Sequence, residues 1–195
     1  MPVLTAGGAG VRHRRRWLFR DLDVRINAGE KVAVVGPPGS GRTTVLLALT
    51  RRFRLSAGQV HLTGTAALGY VPEVSEPENV LSAAELVQER YLLLGRRPDT
   101  EINWHGLDPS LRGFELSPFQ RQVLGVILAR LAQPQLVALD ATDEGLDESE
   151  RDQLWALIDE LAEDGIAVLF SARSVDDSRV ATVINLGADQ KEEVK

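Results

Sequence analysis

The stretch GPPGSGRTT, residues 36–44, carries glycines at Gly36, Gly39 and Gly41 and hydroxyls at Thr43 and Thr44, which is the spacing of a phosphate-binding loop. Arg42 stands where such loops carry lysine. Just before it, KVAVVG (31–36) is a short, continuous, β-branched apolar run ending in glycine, the pattern of a fully buried parallel strand. Just after it, TTVLLALTRRF (43–53) has no breaker and sets Val45, Leu46, Leu47 and Leu49 on one broad face, which predicts a helix. Strand, glycine loop and helix in that order form a positive concavity, because successive N–H groups and the helix N-terminus converge on it. Glycine supplies the left-handed dihedrals and close approach. Gly36, Pro37, Gly39, Ser40, Gly41, Arg42, Thr43 and Thr44 are therefore candidate phosphate-binding residues, with the Thr43 hydroxyl a candidate Mg²⁺ ligand. Arginine is a larger, planar fork than lysine, so weakened phosphate binding is expected and not its abolition.

The same alternation continues outward. From Trp17 to Ile26, Leu18, Leu22, Val24 and Ile26 fall at even spacing and predict a half-buried strand ending at the turn NAGE. GQVHLTG and AALGYVP read as strands separated by turns. LSAAELVQERYLLLG (81–95) predicts a helix starting at Ser82 and stopping at glycine, and residues 96–115 are loop-like. LSPFQRQVLGVILARLA (116–132) predicts the longest apolar-periodic helix, and ESERDQLWALIDELAED an amphipathic one closed by Gly165. QLVALD, IAVLFSA and ATVINLG read as further buried strands. Alternating strands and helices imply an α/β fold with a parallel sheet covered on both faces.

The 195 residues suffice for one domain with a small appended part. The absence of cysteine excludes disulfides and thiolate metal sites, and three scattered histidines argue against a metal centre. No apolar run approaches the roughly 18 residues of a membrane span, and no signal-peptide pattern is present, so a cytoplasmic chain is expected. Net charge is −6, which does not favour nucleic acid as a partner. RHRRRWLFR (12–20) and RRFR (51–54) run against that balance and read as solvated faces or partner surfaces. Only Lys31, Lys191 and Lys195 are lysines, so Arg42 fits a general preference for arginine.

The order of motifs resembles the nucleotide-binding subunits of ATP-binding cassette (ABC) proteins over essentially the whole chain. The resemblance makes Gly36 to Thr44 the Walker A loop and Glu73, after LGYVP, the glutamine-loop position. LSPFQ (116–120) stands for the family's Leu-Ser-Gly-Gly-Gln signature. PQLVALD leads to a Walker B aspartate at Asp140, and GLD (145–147) is the D-loop. It implies a P-loop fold with a small antiparallel β part and a helical subdomain, here reduced, over about residues 74–118. It further implies ATP and Mg²⁺ as cofactors, with Thr43, Asp140 and Glu73 around the metal. Ser117 would contact phosphate and His13 would take the adenine-stacking position, with Trp17 a less well placed substitute whose simpler role is a packed strand residue. A homo- or heterodimer through the cassette interface, and an integral membrane partner on the cytoplasmic face, are also implied.

The chemistry departs from the family at five places. Ala141 replaces the glutamate after Walker B, and loss of a general base costs on the order of 10²- to 10⁴-fold in rate. Ala172, in VLFSAR, replaces the switch histidine, and Arg42 replaces the loop lysine. Glu73 adds a charge that either ligates Mg²⁺ or repels phosphate. Pro118 has no N–H to donate and Phe119 adds bulk in the signature, although Ser117, Pro118 and Gln120 make a well-built helix start. Asp143 and Glu144 should point away from the terminal phosphate. These departures favour a pseudo-ATPase that binds nucleotide weakly. A slow ATPase energising a transporter, and a scaffold that binds no nucleotide, are the alternatives.

Overall fold

The computed structural model describes residues 1–97 and 101–187, so positions 98–100 of the loop-like stretch lie outside the described residues. Its strands are β1 (Pro2–His13), β2 (Arg16–Asn27), β3 (Lys31–Val35), β4 (Ala57–Leu62), β5 (Ala66–Leu68), β6 (Leu136–Leu139), β7 (Ala167–Ala172) and β8 (Thr182–Asn185). Its α-helices are α1 (Arg42–Leu49), α2 (Ala83–Leu93), α3 (Pro118–Arg130) and α4 (Glu148–Glu163). A five-stranded parallel sheet runs in the order β5-β6-β7-β3-β8, and a three-stranded antiparallel sheet in the order β2-β1-β4.

The parallel strands are buried on both faces, and their alternate residues feed two separate cores. Ala33, Val35, Val137, Leu139, Val168 and Phe170 pack toward α2, α3 and α4. Val32, Val34, Leu136, Ala138, Ala167 and Leu169 pack toward α1 and the antiparallel sheet. The expected two-sided cover is therefore present, with the small sheet supplying much of one layer. Full burial of a side chain such as Phe170 is worth about 1.5–3 kcal/mol.

Caps fix the helix starts. Ser82, Ser117 and Asp147 each accept from a backbone N–H three residues on, and Glu85, Gln120 and Glu150 return the bond. The capping boxes bind two orphan donors at each of these ends.

Three points of the sequence reading need correction. The helix predicted over 43–53 ends at Leu49, where Thr50 Oγ1 donates back to the Leu46 carbonyl and Arg51 turns left-handed at φ 61°. The first strand, β1, was not expected. Its pattern is broken by glycines and register shifts, yet it forms the centre of the antiparallel sheet. A bulge at Asp21 (φ 54°) also breaks the even spacing in β2, so Phe19 is buried while Leu18 is only partly covered.

Candidate functional site

Strands β3, β6 and β7 are parallel neighbours, so the segments that follow them emerge along one edge of the sheet. In open parallel sheets, that carboxyl edge is where ligand clefts form. GPPGSGRTT follows β3, Asp140 follows β6 and Ala172 closes β7.

The glycine loop has the expected backbone. Gly39 and Gly41 are left-handed at φ 77° and 97°, and Ser40 N–H donates to the Pro37 carbonyl at 3.1 Å. At Gly36 a Cβ would lie 2.7 Å from both the Leu186 carbonyl and Ser40 Oγ, so no other residue fits without movement. Gly41 opens α1 against the Leu18 carbonyl of β2.

Thr43 Oγ1 donates to Asp140 Oδ2 at 2.6 Å across 97 residues of sequence. Asp140 is buried, and its other oxygen accepts from Ser171 Oγ. Gln122 Nε2 donates to the Asp140 carbonyl at 2.7 Å, and Ala141 N–H donates to Ser171 Oγ at 2.9 Å. This network orients a hydroxyl and a carboxylate, two hard oxygen ligands, toward the loop edge. Magnesium is held through one or two such protein ligands together with phosphate oxygens and water, so the donor set fits it.

Arg42 is turned into the protein. Its side chain is 9% exposed, and Nη2 lies 2.9 Å from Glu144 Oε1. Glu144 lies 3.7 Å from Arg173 Nε as well, and Asp143 Oδ2 accepts from Arg173 N–H at 2.8 Å. Glu144 is thus engaged by two guanidinium groups and Asp143 by a backbone N–H, with Asp143 Oδ1 buried and unpartnered among the described residues. Arg42 Nη1 and Ser40 Oγ are buried with no partner among the described residues, which suits a loop built for acceptor oxygens.

Ala141 carries only a methyl group and is left-handed at φ 53°, an uncommon conformation for alanine. Ala172 is 3% exposed at the end of β7 and has no side-chain donor. Glu73 sits on an exposed turn at φ 63°, where its N–H donates to Glu76 Oε1 at 3.1 Å. His13 is exposed at the tip of the β1–β2 hairpin, opposite Arg16, with Arg14 and Arg15 forming a left-handed turn. No hydrogen bond or ion pair joins His13 or Glu73 to the loop among the described residues. Trp17 packs over Gly10, where a Cβ would meet its ring at 3.0 Å. Ser117 accepts from Gln120 N–H at 3.2 Å, and the Pro118 ring lies over Gly145, joining the two loops. Thr44 is the third residue of α1 and half-buried. Pro37 is exposed, close to Gly187.

Ser171, Gln122 and the partnership of Glu144 with Arg42 were not expected. Ser171 and Gln122 carried a signal, Ser171 as the one polar residue of the buried strand β7 and Gln122 as a polar residue on the buried face of α3. Among the described residues no group of three or more His, Asp or Glu is placed to hold a metal, at this site or elsewhere, and no described helix is long and apolar enough to cross a membrane.

The family model described as "ABC transporter" matches residues 19–143. The zinc import ATP-binding protein ZnuC of Ruegeria pomeroyi is 32% identical over 176 residues, which are 86% of this chain and 68% of that protein. ZnuC of Rhizobium meliloti is 30% identical over 170 residues, 83% of this chain but 55% of that protein. The chain thus spans between about half and two thirds of these relatives' length. An ATP-binding cassette seen as a dimer in a post-hydrolysis state bound to ADP and Pi shares the fold at TM-score 0.73 and 18% identity, over 94% of each chain. An ATP-binding cassette of an ABC transporter in its ADP conformation matches at TM-score 0.75 and 15% identity, over 95% of this chain and 87% of that one. With the family model covering most of the chain and the fold shared with these cassettes, the chain belongs to the ABC transporter family of ATP-binding proteins.

Proposed function

We propose that this chain is a catalytically degenerate ATP-binding subunit, a pseudo-ATPase that binds nucleotide weakly and acts by assembly or regulation with a partner. The observation that carries this is Ala141. Beside the Thr43–Asp140 pair, the residue in the base position has a methyl side chain, while Asp143 and Glu144 are engaged by Arg173 and Arg42. A methyl group neither takes nor orients a proton, and the missing base alone removes on the order of 10²- to 10⁴-fold in rate.

Nucleotide would sit on Gly36, Pro37, Gly39, Ser40, Gly41, Arg42, Thr43 and Thr44, with His13 and Ser117 taking the positions the family uses for base and phosphate. Thr43 and Asp140 would hold Mg²⁺, with Glu73 as a third candidate. Bound there, the ion would neutralise phosphate charge. The segment over about 74–118, containing α2, is proposed as a reduced helical subdomain. A dimer through the cassette interface is supported by the dimeric neighbour. An integral membrane partner on the cytoplasmic face is supported by the relatives' name, zinc import ATP-binding protein. Phosphate release from Mg·ATP tests the reading: none above background is expected, and release that Asp140→Asn abolishes would overturn it. The intact Thr43–Asp140 pair is what favours the second reading, a slow ATPase, which that same release would establish.

A further inference from the structure

Arg42 is the one cationic side chain in the loop 36–44, and its charge is already shared with Glu144 at 2.9 Å. The Arg42 side chain is nine-tenths buried, with Nη1 still unpartnered among the described residues, as is Ser40 Oγ in the same loop. Two buried groups that lack partners, at the N-terminus of the eight-residue helix α1, call for an anion's oxygens. The loop is thus equipped for phosphate, yet the cation that would greet it carries a carboxylate. Arg173 lies further from Glu144, at 3.7 Å, and is 60% exposed, so water screens that second contact and leaves Glu144 mainly to Arg42.

A phosphate chain laid on this loop gains the backbone N–H groups and the Thr43–Asp140 metal position. Each further phosphate adds negative charge that Glu144 opposes and the half-neutralised Arg42 does not offset. We infer that the loop is a nucleoside diphosphate site that disfavours triphosphate, with Glu144 as the residue that sets the preference. This rests on the nucleotide-binding reading above and names its ligand class.

Calorimetric titration of the full chain with Mg·ADP and with the non-hydrolysable β,γ-imido analogue of Mg·ATP tests it. ADP is expected to bind about tenfold or more tightly than the analogue. In Glu144→Gln the amide keeps the contact to Arg42 but drops the charge. Analogue affinity should then rise about tenfold while ADP affinity changes by less than about threefold. The melting transition of the ligand-free variant verifies that it folds. Equal or tighter binding of the analogue by the unaltered chain, or an unchanged ADP-to-analogue ratio in folded Glu144→Gln, overturns the inference. Failure of both nucleotides to bind also overturns it. Loss of binding by both nucleotides removes the nucleotide-binding reading as well, whereas binding without the preference removes this inference alone, so the two failures are distinguishable.

Discussion

Arg42, the first residue of α1, and Glu144, in the loop after β6, form a 2.9 Å ion pair across 102 residues of sequence. The pair ties the glycine loop to the segment that follows Asp140. Because Arg42 is nine-tenths buried and Glu144 is 38% exposed, its worth lies between that of a surface pair and a buried one. Glu144→Ala should lower stability by about 1–2 kcal/mol, since it leaves a buried guanidinium unpaired. The double variant Arg42→Ala with Glu144→Ala should lose less than the sum of the single losses. Urea unfolding of the four proteins measures the coupling.

Asp140 holds the Thr43 hydroxyl on one oxygen and Ser171 on the other. Asp140→Asn keeps the shape but removes the charge a divalent cation needs. ADP affinity measured with and without Mg²⁺ should differ by about tenfold or more in the unaltered chain and become nearly metal-independent in Asp140→Asn.

Gly125 lies in the middle of α3, where alanine ordinarily gains about 1 kcal/mol through helix propensity. Here a Cβ would stand 2.3 Å from the Tyr70 nitrogen, against the chain that leaves β5. Overpacking against backbone costs about 1–3 kcal/mol and should win. Gly125→Ala is expected to destabilise the protein, which a lowered melting temperature would show.

How much of this was legible in the sequence depended on how far apart the interacting residues lie. β3, β6 and β7 were readable because burial on both faces demands unbroken apolar runs, and the capping boxes because their partners are three residues apart. β1 was not, since Gly7, Gly8 and Gly10 interrupt its apolar pattern and its pairing slips between Ala6 and Ala9. At the site, the strand, glycine loop and helix around residues 36–44 were readable locally, whereas Asp140 and Ala141 stood out only through the family resemblance. That Arg42 turns toward Glu144 was not, because a partner 102 residues away leaves no local pattern. Ser171 was visible only as an unexplained hydroxyl in a buried strand.

Acid should weaken the start of α2. The Glu85 carboxyl is held below its ordinary range by the backbone N–H of Ser82, then by the Ser82 hydroxyl, with a smaller contribution from Arg112. A carboxyl with a depressed folded-state pKa adds stability above its unfolded pKa and loses it as pH falls through the folded value. The stability difference between the unaltered chain and Glu85→Gln should therefore be full at neutral pH and shrink below about pH 4.5. Denaturant midpoints at stepped pH values measure this.

In the proposed function the cassette persists without turnover. Single-turnover phosphate release from Mg·ATP, with the chain in excess and Asp140→Asn as the control, tests it most directly. The predicted result is one identical background rate for both proteins; release by the unaltered chain that vanishes in folded Asp140→Asn would contradict it.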